Sequence, residues 1–66
     1  MKQCLMEVFS KECHLFTGDD VVNFIKKVNI LLADGYSYKN LHLVGPISIA
    51  TNGNITMITA TMEYDI

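Results

Sequence analysis

Residues 47–58 read Ile47-Ser48-Ile49-Ala50-Thr51-Asn52-Gly53-Asn54-Ile55-Thr56-Met57-Ile58. Two alternating, apolar-rich runs flank an Asn-Gly pair. That pair is the strongest short-range hairpin signal, because both central residues of a type I′ turn take positive φ. With Asn52-Gly53 as the loop, opposed residue numbers sum to 105. The register then pairs Ile49 with Thr56, Ile47 with Ile58, Gly45 with Ala60, Leu43 with Met62 and Leu41 with Tyr64. This face is apolar almost throughout. The other face carries His42/Glu63, Val44/Thr61, Pro46/Thr59, Ser48/Met57 and Ala50/Ile55, a mixed set. A slip of one residue would oppose apolar to polar side chains, so pattern and turn chemistry agree.

Upstream of the hairpin, Thr17-Gly18-Asp19-Asp20 reads as a helix start. Thr17 with Asp20 three residues on approximates a capping box, and the aspartates face the positive end of the helix dipole. Val21, Phe24, Ile25, Val28, Leu31 and Leu32 follow at spacings of three and four, the period of one buried helical stripe. Gly35 stands where a left-handed helix-ending residue belongs. The spacing predicts a helix over residues 19–34. Before it, Gln3 to Phe9 reads as a strand buried at least partly on both faces, and Ser10 to Leu15 as a connection.

Pro46 sets the expected topology. In this register its missing N–H points away from the hairpin partner, which a proline tolerates only at a sheet edge. The last strand therefore lies between the first and the second. A right-handed crossover through the helix makes those outer strands parallel. The predicted fold is α+β: a βαββ unit with a three-stranded sheet in order 1-3-2 and one helix packed on one face. All 66 residues are expected to form one domain.

Composition bounds the function. Half of the residues are hydrophobic and 18% are charged, which excludes intrinsic disorder. Five Lys/Arg against seven Asp/Glu give a net charge of −2, so bulk charge favours neither nucleic acid nor an anionic membrane. The N-terminal Met1-Lys2-Gln3-Cys4 lacks the apolar core of a signal peptide, and two cysteines do not make a disulfide scaffold. The expected location is the cytoplasm, with free thiols.

One helix covers one face of a sheet. The other face would expose Val44, Pro46, Ala50, Ile55 and Met57, together with either Cys4/Met6/Val8 or Leu5/Phe9 of the first strand. Soluble monomers seldom show an apolar patch beyond a few hundred Å². Small cores also often depend on oligomerisation. Self-association through those five residues is the expectation, against the alternative of an ordinary half-wet sheet whose open side is threonine-rich.

Candidate chemistry is sparse. Cys4, Cys13, His14 and His42 supply zinc-ligand types, but without the paired Cys-x2-4-Cys spacing of structural sites. His42 opposite Glu63 is an oriented imidazole, yet nothing in the sequence places a cysteine near it, as nucleophilic catalysis would require. Thr17-Gly18-Asp19-Asp20 precedes a helix, but its aspartates occupy the place an anion would take. No catalytic residue, cofactor or metal is expected. A small ligand such as a nucleotide signal would need cationic and aromatic groups, and only Lys26, Lys27, Lys39, Tyr36 and Tyr38 offer them. For the two tyrosines, packing under the helix end is the simpler role.

Three stretches carry a resemblance: Asn29-Ile30-Leu31-Leu32-Ala33-Asp34-Gly35-Tyr36, Gly45-Pro46-Ile47-Ser48-Ile49, and Thr59-Ala60-Thr61-Met62. Over residues 20–64 the chain resembles a family of small βαββ domains of unknown function from bacteria and their phages. It departs from that family in a longer connection after the first strand, and in threonines where the last strand usually carries glutamine. The resemblance implies this fold and no chemistry. With the exposed face, it makes the expected function a non-enzymatic homo-oligomeric module binding another protein, such as a phage-encoded inhibitor of a host system. The alternative is a ligand-binding protein with pockets at oligomer interfaces, contacted by Tyr36, Tyr38 and Lys39.

Overall fold

The computed structural model describes residues 1–66. In chain order it comprises β1 (Lys2–Glu12), a 3-10 turn over Cys13–Leu15, α1 (Gly18–Ala33), β2 (Lys39–Leu43), β3 (Ser48–Asn52) and β4 (Ile55–Asp65). The α+β class is as expected, but the sheet has four strands rather than three. Its order is β1-β4-β2, with β3 also paired to β4, which replaces the expected order 1-3-2. Every pairing is antiparallel. What reads in sequence as one strand after the helix is thus two, both laid along the same side of β4.

The break between them lies at Val44–Ile47. Gly45 takes φ +74° there. Leu43 faces Met62 and Ser48 faces Thr59, so four residues on the outer strand pass only two on β4. The surplus bulges out with Pro46 in it, and Pro46 does not pair with Thr59 as the sequence register predicted. At the turn, Asn52 faces Ile55, so Gly53 and Asn54 form the loop, with Gly53 at φ +60°. The expected loop at Asn52-Gly53 is therefore displaced by one position. Ile49 faces Ile58 rather than Thr56. Beyond the break, the expected pairs Leu43/Met62 and His42/Glu63 are present. The registers of His42–Leu43 and of Ser48–Asn52 differ by an even number, so these paired side chains keep their predicted faces.

β1 is longer than its apolar stretch. Its ladder with β4 runs without interruption from Lys2↔Asp65 to Glu12↔Ile55 and absorbs Ser10–Glu12 of the expected connection, while Cys13–Leu15 remain outside it as the 3-10 turn. The helix begins as the sequence predicts: the Thr17 N–H donates to Asp20 Oδ2 at 2.9 Å. That bond, the largest influence, holds the Asp20 carboxyl below its ordinary range, with Lys11 adding to it. The helix end differs from expectation. Gly35 is not left-handed; instead Asp34 accepts from the Tyr36 N–H at 3.0 Å and the Ser37 hydroxyl at 2.7 Å. These bonds, the hydroxyl first, lower the Asp34 pKa.

α1 crosses the middle of β4. Phe24 and Val28 pack on Ile58, Ala60 and Met62, ringed by half-buried Leu5, Phe16, Val21, Leu31, Leu32, Leu41 and Ile47. Ile25, placed in the buried stripe by spacing, is exposed. Buried Thr56 is satisfied by Thr51, at 3.1 Å, and by donating to Cys13 Sγ at 3.2 Å. Only 6 of 66 residues are buried. The radius of gyration is 13.1 Å, where about 11 Å is usual for this length. The accessible surface is 4622 Å², against roughly 4,200 Å² for a folded monomer of this mass. The helix is too short to close the sheet into a self-contained core.

Candidate functional site

The side of the sheet away from α1 is assembled row by row from the ladders, because opposed residues share a face. On β4 the even residues Thr56, Ile58, Ala60 and Met62 are buried under the helix, so the odd ones open outward. On β1 the open set is therefore Cys4, Met6, Val8 and Ser10, an assignment the sequence alone left undecided. Its alternates Leu5, Glu7 and Phe9 lie on the helix side.

Read across the strands, Ser10–Met57–Ala50 and Glu12–Ile55–Asn52 form the rows at the turn end. Val8–Thr59–Ser48 follows, and then Met6–Thr61, against which the Val44 N–H donates to Thr61 O at 2.8 Å. Met6 is 55% exposed, Val8 47%, Met57 42%, Val44 39% and Ile55 38%. A shallow depression of about 470 Å³ is lined by Ala50, Asn52, Ile55 and Met57. All five residues expected at an interface, Val44, Pro46, Ala50, Ile55 and Met57, are exposed. Pro46 stands apart from the others in the break between β2 and β3.

The far end of this face is charged. Lys2 and Asp65 lie 3.9 Å apart, and Asn40 Nδ2 donates to Asp65 Oδ2 at 2.7 Å. The Asn40 bond, with Lys2, Lys39 and the N-terminal ammonium behind it, lowers the Asp65 pKa. Next to this row runs Cys4–Glu63–His42. His42 Nδ1 contacts the Asn40 carbonyl at 2.9 Å, and since a carbonyl only accepts, Nδ1 carries the proton. Nε2 then faces Glu63 Oε2 at 3.7 Å.

The sequence reading paired His42 with Glu63 but missed Cys4 beside them, because it had no means of registering β1 against β4. Once the register is known, Cys4 shares a row with His42. Glu63 and its whole strand stand between them, however, a backbone separation of about 9.6 Å. A thiol activated by imidazole needs direct hydrogen-bond reach. Cys13 and His14 lie at the opposite end of the sheet, where Cys13 Sγ accepts from Thr56 and its N–H donates to Asn54 O at 2.8 Å. No three His, Cys, Asp or Glu side chains gather in a metal-binding group.

The candidate ligand contacts do not converge. Tyr38 packs edge-on against Tyr64, ring centroids 4.6 Å apart, while Tyr36 is fully exposed. Lys39 pairs beside Asp65, and Lys27 is held by Glu7 at 2.8 Å on the helix side. Packing accounts for Tyr38 but not for Tyr36. No helix is long and apolar enough to cross a membrane. No family model, curated protein or solved structure matches the chain.

Proposed function

We propose that this protein is a non-enzymatic interaction module that self-associates through the open face of its sheet and, in that form, binds another protein. The observation that carries the reading is the contiguous exposure of Met6, Val8, Val44, Ile55 and Met57 on a sheet that one helix covers on the other side only. A face of this kind excludes water only against a second apolar surface. Its centre, Thr59 and Thr61, is half-buried and uncharged, while the ionisable pairs lie at its two ends, Lys2/Asp65 and His42/Glu63 at one and Glu12/His14 at the other. That is the distribution of an apolar patch with a charged rim. The resemblance to small bacterial and phage βαββ domains fits a phage-encoded inhibitor acting on a host protein in the cytoplasm.

Sedimentation of the wild type and of Met57→Lys tests the reading. The wild type is expected as a multiple of 7.4 kDa, with a melting temperature that rises with concentration. Met57→Lys places an unpaired ammonium group in the interface, which costs several kcal/mol of association. It should run as a smaller species. An unchanged mass for Met57→Lys overturns the open face as the contact.

A further inference from the structure

The sheet has two edges, and they are guarded unequally. Along β2 and β3 the edge is interrupted twice: Asn40 sits at φ 57° where the register shifts, and Gly45 at φ +74° opens the break that holds Pro46. Kinks and prolines of this kind are how sheets avoid pairing with other chains. β1 forms the other edge and has none of them. It runs eleven residues in unbroken register.

The direction of its free peptide groups follows from three bonds. The Cys13 N–H donates to Asn54 O, the Ile66 N–H to Met1 O, and the Val44 N–H to Thr61 O. Odd residues of β1 therefore turn their peptides toward β4, and even residues turn theirs outward. Cys4, Met6, Val8 and Ser10 present a free row of donors and acceptors.

We propose that this edge pairs with the same edge of a second copy, antiparallel and centred on Glu7, so that two sheets join into one of eight strands. The sequence of β1 is complementary to its own reverse about that point. Lys2 falls opposite Glu12 of the second copy, Gln3 opposite Lys11, Cys4 opposite Ser10, Leu5 opposite Phe9 and Met6 opposite Val8. Charge meets opposite charge at the ends, and apolar meets apolar on both faces. Neighbouring registers lose this match. Centring on Met6 sets Leu5 against Glu7, and centring on Val8 sets Leu5 against Lys11.

The like-charged Glu7 pair at the centre is neutralised from above, because each Glu7 is already bound to Lys27 at 2.8 Å. Ile30, 73% exposed, and Phe9, 36% exposed, line clefts on this flank of α1 and offer the second copy further apolar contact. A two-fold contact in which each residue meets its mate's complement is the usual geometry of a homodimer. The contact uses the edge, not the open face, so it stands independently of the proposed function.

Amide hydrogen exchange on the wild-type protein is the first test. At NMR concentrations the Cys4, Met6, Val8 and Ser10 amides should be protected, and should lose protection on dilution. Rapid exchange of these four beside protected Leu5, Glu7 and Phe9 overturns the proposal. Val8→Pro removes an outward donor while leaving the β1–β4 ladder intact, and should weaken dimerisation at least tenfold. Val8→Ala, which trims the side chain but keeps the N–H, should not. Equal dimerisation by the two variants would also overturn it. Gln3→Cys/Lys11→Cys in a Cys4→Ser background reports the register. The two positions lie roughly 26 Å apart within one strand, so a 3–11 disulfide joins two copies, and 3–3 or 11–11 products alone refute the centring on Glu7. Met57→Lys should leave edge protection unchanged, which separates failure here from failure of the open-face reading.

Discussion

The two sides of β4 are built on opposite plans. Along one, β1 matches it residue for residue over eleven pairs. Along the other, β2 and β3 share the length between them, divided by a four-residue break and carrying three different registers. The difference lies in local chemistry. β1 contains neither glycine nor proline, so nothing in it resists an extended ladder. The second side contains Gly45-Pro46, and proline cannot continue a ladder as a donor while glycine readily leaves the extended region. A continuous strand can accept a further strand on its outer edge, whereas a broken one is closed to it. The asymmetry thus separates the edge available for association from the edge that is not.

The most damaging change would strike what both sides share. Phe24, 4% exposed, sits with Val28 over Ile58, Ala60 and Met62 of the central strand. Phe24→Ala should cost about 3–5 kcal/mol, enough to unfold so small a domain. Loss of cooperative denaturation for this variant, alongside a folded Ile25→Ala, would fit the observed helix orientation. A folded Phe24→Ala protein would mean that the two ladders do not depend on the helix.

Smaller effects fall on the second side only. Gly53→Val and Gly45→Val each force a β-branched residue to positive φ, at a cost of about 1–3 kcal/mol. An added Cβ meets no atom within 4 Å at either position, so the cost is one of backbone conformation, not crowding. Chemical denaturation should show both losses. Exchange protection in β1 should persist relative to β3 in Gly45→Val, because the break lies away from that ladder. Equal loss along both sides would show the sheet to be a single cooperative unit.

These contrasts also mark how far the sequence could be read. The Asn-Gly signal located the hairpin, and the three-and-four spacing located α1, because each is a local property of a few residues. The shift of the loop to Gly53-Asn54 and the division of the second strand were not legible in this way. Both registers satisfy the same alternation, and only the backbone at Gly45 distinguishes them. The candidate face followed from counting: one helix, one sheet and too many apolar residues for a single interface. The place of Cys4 beside the His42–Glu63 pair was hidden, because it depends on long-range pairing of β1 with β4. The same pairing decided which alternates of β1 open outward. Asp34, rather than Gly35, ends the helix, since a short acidic side chain can bond the following backbone as readily as a glycine can turn it.

The smallest expected effect is on pH dependence, and it compares the ends of the two ladders. Asp65 closes both, between Lys2 of β1 and Lys39 of β2, with Asn40 donating to it. Its folded pKa lies below the ordinary 3.8, chiefly through the Asn40 bond and then through Lys2 and Lys39. Asp20 and Asp34, at the two ends of α1, are lowered in the same direction by their own hydrogen bonds. A lowered carboxylate pKa means that the folded state binds fewer protons than the unfolded one. The stabilisation is then present above the unfolded pKa and is lost as pH falls through the folded value. Stability should therefore be flat near neutrality as far as these groups are concerned, and should decline below about pH 4. In Asp65→Asn the acid limb should become shallower, and the gap from the wild type should close toward pH 2. Denaturation midpoints taken between pH 5 and pH 2 measure this directly. A gap that stays constant across that range would show that the charge of Asp65 does not contribute to the acid limb.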